Sequence, residues 1–141
     1  MLKPDETFFT SLGCMDGRVY EPILKFGQKK FGAKFADTIT EAGLVGQLAN
    51  KHSHHLLDSI SQKLSISLEK HHSKGIVVHG HQECAGNPVD DKRHQDDIRK
   101  SIQVLKSVIN SEVLVVGVFV KRSSEDPRIW EAEEISPTVT V

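Results

Sequence analysis

Eight consecutive residues, Val113-Leu114-Val115-Val116-Gly117-Val118-Phe119-Val120, carry no polar side chain. The run is too short to span a bilayer. A strand apolar on both sides belongs in the interior of a sheet covered on both faces, which parallel sheets flanked by helices provide. Short apolar runs alternate with segments of helical period along the rest of the chain, so an α/β fold with a mainly parallel central sheet is expected. Thr7 to Leu12 reads as a first strand ending at Gly13, and Lys34 to Thr40 as a second, closed by Glu41-Ala42-Gly43. Ile76-Val77-Val78 reads as a buried third strand, and Ile129 to Ile135 as a last one at a sheet edge.

Helices fill the intervals. One is expected from Glu21 to Lys30, with Pro22 in its first turn. Leu56, Ile60, Leu64 and Leu68 mark one buried stripe of a second, which should stop near Lys74-Gly75. Asn87-Pro88 reads as the cap and first turn of a third, carrying Ile98, Ile102, Leu105 and Ile109 on one side. With 141 residues, 38% hydrophobic and 26% charged, the chain fits one domain, 1–141. The net charge of −1 gives no electrostatic reason to expect nucleic acid or an acidic membrane, and Lys25 to Lys30 reads as a solvated helix face. Met1-Leu2-Lys3-Pro4-Asp5-Glu6 has no apolar signal core, so the expected location is the cytoplasm.

Both cysteines follow strands. Cys14-Met15-Asp16-Gly17-Arg18 comes after the first, and His81-Gln82-Glu83-Cys84 after the third. Ligands of open α/β sheets bind beyond the carboxyl ends of the strands, where loops distant in sequence converge. Two thiolates and an imidazole suit zinc, and three protein ligands leave a fourth position for water or substrate. Zinc lowers the pKa of bound water to about 7. Asp16 is an acceptor placed to orient the resulting hydroxide, and Arg18 can hold its carboxylate through a bidentate pair. Taken alone, two cysteines also suit a buried core. A phosphatase-like nucleophile is the competing chemical use, but it needs a longer anion loop than Met15-Asp16-Gly17.

At these residues the chain resembles the β-class carbonic anhydrases, which carry Cys-x-Asp-x-Arg after the first strand and His-x-x-Cys after a later one. Ser67-Leu68-Glu69-Lys70 leading into Gly75-Ile76-Val77-Val78-His79-Gly80-His81 looks like the family's helix and strand before the second motif. The resemblance implies strand order 2-1-3-4 with an additional edge strand, and a homodimer with active sites near the interface. It implies zinc on Cys14, His81 and Cys84, with Asp16 paired to Arg18. The implied activity is a lyase reaction in which zinc hydroxide attacks carbon dioxide and bicarbonate leaves. In the family's inactive form the aspartate swings onto the metal, which makes Asp16 a candidate fourth ligand as well. The chain departs from the family pattern at Leu44, where asparagine usually follows Ala-Gly. Two further uses of the site stay open: a zinc hydrolase of carbonyl sulfide or carbon disulfide, and a zinc-binding or regulatory relative without useful turnover.

The remaining histidines read as structural. His52, His54, His55, His71 and His72 are expected on solvated helix positions, and His79 as a satisfied core histidine on the same strand face as His81.

Overall fold

The computed structural model describes residues 1–51, 53–110 and 112–138, so His52 lies outside the described residues. Five strands form one sheet: β1 (Phe8–Gly13), β2 (Phe35–Thr40), β3 (Ile76–His81), β4 (Val115–Arg122) and β5 (Trp130–Ile135). Their order is β2-β1-β3-β4-β5, the expected 2-1-3-4 with an extra strand at the edge. The first four run parallel, and β5 returns antiparallel to β4. Among the described residues four α-helices flank the sheet: α1 (Tyr20–Phe31), α2 (Leu44–Asn50), α3 (His54–Ser65) and α4 (Asp91–Val108).

Period-two alternation splits the core into two layers. Phe9, Val77, Val116, Val118 and Val120 face α1 and pack with Val19 and Ile23. Leu12, Ile76, Val78 and Phe119 face the other way, against Leu44 and Leu48 of α2, Ile60 and Leu64 of α3, and Ile98 and Leu105 of α4. Phe9 and Phe119 lie on opposite layers and are each almost wholly buried, a stabilisation of about 1.5–3 kcal/mol apiece. The apolar run is thus an interior strand covered on both faces, although the strand begins at Val115 and Leu114 stays exposed. On α1, the Lys25 ammonium pairs with Glu21 at 2.7 Å with both side chains largely exposed, as a solvated face should.

Four boundaries differ from expectation. The helix carrying the leucine stripe does not reach Lys74-Gly75. It widens into a π turn over Ile66–Lys70, and His72 follows with φ 53. Ser67 and His71 are drawn to the Asp37 carboxylate, each at 2.7 Å, and these bonds hold the widened turn against β2. The N-cap of α4 is Asp90, whose side chain accepts from Arg93 N at 2.8 Å, not Asn87. Asn87 turns inward instead and donates to Asp97 Oδ2 at 3.1 Å. β3 runs past its apolar core Ile76-Val77-Val78 to His81, so His79 and His81 share one strand face as expected. Finally, α2 was not expected. Leu44, Val45, Gly46 and Leu48 are all buried, so its seven residues carry no amphipathic period.

Candidate metal centre

The carboxyl ends of β1 and β3 lie side by side, because Leu12 pairs in register with Val78. Cys14, just past β1, therefore meets His81 at the end of β3 and Cys84 in the loop beyond it. One ligating atom from each lies within 4.8 Å of the other two, and among the described residues this is the group of metal-ligating side chains that converges. All three are buried. The two sulfurs are 3.8 Å apart and both thiols are free, so the pair is not a disulfide.

His81 has a fixed tautomer. Its Nδ1 is 2.7 Å from the carbonyl oxygen of Gln82, which can only accept, so the proton is on Nδ1. Nε2 is buried, bonds no nitrogen or oxygen, and faces the Cys14 sulfur. A ligating histidine has the same arrangement, with one nitrogen donating to a carbonyl and the other free for metal.

Burial pushes the Cys14 thiol up, but His81 and the backbone N–H groups of Gly43 and Asp16 outweigh it and bring it down to about 7. Burial and the neighbouring Cys14 push Cys84 the other way, although N–H groups of Gly86 and Asn87 point at it. Two buried thiolates this close repel, and a cation between them removes the conflict. The imidazole nitrogen completes a donor set of two sulfurs and one nitrogen. These residues fit zinc and leave a fourth position open.

Gly43 shapes this shell. It adopts φ 59, donates its N–H to Cys14 Sγ at 3.5 Å, and lies against the backbone of Gly86. A Cβ there would run into the Gly86 carbonyl and come within 2.9 Å of the Asn87 nitrogen. Leu44, where the sequence departs from the family pattern, is buried in the core at the start of α2 and does not face the cysteines with a polar group.

Asp16 and Arg18 form the expected bidentate pair. Asp16 Oδ1 accepts from Arg18 N at 2.9 Å and Nε at 3.0 Å, and Oδ2 accepts from Nη2 at 2.8 Å. Arg18 holds the Asp16 carboxyl down at about 2, so it is ionised at any physiological pH. Its Oδ2 lies 3.8 Å from His81 Nε2, beside the point where the three ligands converge. A groove of about 320 Å3 opens next to Cys14 and Asp16, lined also by Ser11, Thr38, Tyr20 and His79.

His79 lies on the groove side of β3, where Gly13 leaves room for its ring, and its Nε2 hydrogen-bonds Ser11 Oγ at 3.1 Å. Its Nδ1 has no partner, so the core histidine is satisfied on one side only. His54, His55 and His72 are exposed, as expected of solvated positions. His71 is not. It bonds Asp37 and stacks on Phe8 at 4.3 Å.

Sequence reasoning did not find the residues behind Arg18. Glu83, between the two ligands of the second motif, has φ 57, and its carboxylate accepts from Arg122 Nε at 2.6 Å and Nη2 at 3.0 Å. Arg18 Nη2 donates to the Glu83 carbonyl at 3.3 Å. Both guanidiniums lie over the ring of Trp130, at 4.6 Å and 4.5 Å from its centroid, and the ring edge meets His81 at 6.5 Å. His94 of α4 is also buried close to His81, their rings 6.2 Å apart. The one available signal was the positive-φ position inside a ligand loop, which glutamate does not advertise.

The sequence matches the family described as "putative carbonic anhydrase" over residues 4–135. No curated protein sequence matches it. Among solved structures, the chain is similar to a carbonic anhydrase from Streptococcus mutans, with TM-score 0.59 and 17% identity, covering 96% of this chain and 87% of that one. It is also similar to the β-carbonic anhydrase CafA of Aspergillus fumigatus, with TM-score 0.57 and 14% identity, covering 94% and 77%. At those identities the likeness establishes the fold, while the sequence match spans nearly the whole chain. The chain belongs to the carbonic anhydrase family so described, on a β-carbonic anhydrase fold.

Proposed function

We propose that this protein is a zinc-dependent lyase that reversibly hydrates carbon dioxide to bicarbonate, with zinc held by Cys14, His81 and Cys84. The observation that carries the reading is the buried His81 Nε2 among two thiols, with the Asp16 carboxylate 3.8 Å away. Zinc, when bound, supplies a Lewis acid that lowers the pKa of a water it holds to about 7. Asp16, ionised and locked by Arg18, would accept a hydrogen bond from such a water and orient it. Arg18 keeps the carboxylate charged and fixed in plane. With Arg18 released, the same carboxylate would be free to turn toward the metal as a fourth ligand.

The reading includes a homodimer. β2 leaves an open edge at the end of the sheet, and Met15 and Tyr20 stand exposed beside the groove, at 66% and 65%. It also includes a single domain over 1–141 and a cytoplasmic location, supported by two unbonded cysteines. No helix among the described residues is long and apolar enough to cross a membrane.

The test is stopped-flow carbon dioxide hydration on protein of measured zinc content. Turnover that rises in proportion to bound zinc supports the lyase. Full zinc occupancy with no hydration anywhere around neutral pH overturns it and leaves a zinc-binding protein.

A further inference from the structure

We propose that Trp130 is a positioning residue for the metal centre: its indole ring, with Glu83, fixes the Arg18 guanidinium and so keeps the Asp16 carboxylate off the metal position. This rests on the zinc reading above. Arg18 reaches Asp16 from a short turn at Gly17–Val19, and 37% of its side chain is exposed. The fork binds Asp16 in a bidentate pair, and the rest of the guanidinium would face solvent without further contacts. Three further contacts restrain the guanidinium. The Trp130 face lies 4.6 Å from its carbon, the Glu83 carbonyl accepts from it at 3.3 Å, and the Glu83 carboxylate lies 3.6 Å from Nη1.

Those contacts are themselves anchored away from the site. Arg122 clamps the Glu83 carboxylate with two hydrogen bonds and stacks on the same indole. Arg122 and Trp130 are cross-strand partners at the loop end of the β4–β5 hairpin, and the Arg122 N–H donates to Gln82 Oε1 at 2.8 Å. The loop between His81 and Cys84 is thereby tied to the edge hairpin, and Glu83 is held in a left-handed conformation that a non-glycine residue rarely adopts. Strand β5 thus supplies the back wall of the Asp16–Arg18 pair.

The experiment uses the full chain loaded with cobalt(II), whose visible absorption reports the donor set, titrated with azide at neutral pH as a probe for an open fourth position. Wild-type protein binds azide with a spectral change. Trp130→Leu retains an apolar body for β5 but no π face, and azide affinity falls about tenfold as Asp16 takes the position. Trp130→Phe, which keeps a ring, stays within about threefold of wild type. Adding Asp16→Asn to Trp130→Leu returns azide affinity to that of Asp16→Asn alone. A merely structural defect at Trp130 would lower cobalt affinity and would not be cured by Asp16→Asn. Unchanged azide affinity in Trp130→Leu, or a loss that persists with Asp16→Asn, overturns the inference while the metal reading stands. A wild-type chain that takes up no cobalt overturns the metal reading, and the inference with it.

Discussion

Replacing Gly43 by alanine probes the shell around both cysteines at once. The residue sits at φ 59, where a side chain costs about 1–2 kcal/mol. Its new Cβ would also press on the backbone of Gly86 and Asn87, which cannot swing aside as a flexible side chain would. Overpacking of that kind costs about 1–3 kcal/mol, so the total is about 2–5 kcal/mol. In a chain of this length that lowers Tm by roughly 6–18 °C. The same displacement moves the Gly43 N–H away from Cys14 and the Gly86 and Asn87 N–H groups away from Cys84, so zinc affinity should fall about tenfold or more. Gly32→Ala is the control. Gly32 has φ 63 but nothing within 4 Å of where a Cβ would stand, so it should lose only the backbone share and keep wild-type zinc affinity. Differential scanning calorimetry and competitive zinc titration measure the two effects. Equal Tm losses in both variants, with zinc affinity unchanged in Gly43→Ala, would refute the packing argument.

Three other outcomes follow from the same geometry. Arg18→Ala should retain zinc yet lose at least about tenfold in hydration rate, and Arg18→Lys should not restore it, because a point charge cannot reproduce the bidentate fork; full activity in Arg18→Ala would reduce the pair to a surface ion pair. Burial lowers His94 to about 4 from its ordinary 6.5, so it stays neutral when folded and charges when unfolded. Its contribution to stability is complete above pH 6.5 and is lost as pH falls toward 4, by up to about 1.4 kcal/mol per pH unit. Urea denaturation of zinc-free protein should show the stability gap between wild type and His94→Gln narrowing below pH 6.5, and a gap that stays constant from neutral pH down to about 5 would contradict this. Light scattering at micromolar concentration should give the mass of two chains, and a monomer would remove the second copy from the proposed assembly.

What could be read from the sequence depended on how local the cause was. The interior strand β4 and helices α3 and α4 announce themselves by continuous or periodic apolar residues, and the Cys14 to Arg18 motif by its chemistry. The end of β3 was hidden because His79, Gly80 and His81 interrupt an apolar run while still pairing with Val118, Phe119 and Val120. The π turn at Ile66–Lys70 depends on Asp37, some thirty positions earlier, and no local period reports that bond. Arg122, Trp130 and Glu83 come together only through the β4–β5 register and the path of the ligand loop, so their closeness is a property of the folded sheet.

The most direct test of the zinc centre is zinc K-edge X-ray absorption on protein purified without chelators. The expected spectrum is that of one zinc per chain with two sulfur neighbours at about 2.3 Å and two nitrogen or oxygen neighbours at about 2.0–2.2 Å. A shell with one sulfur or none, or protein without zinc after zinc-supplemented growth, would contradict it.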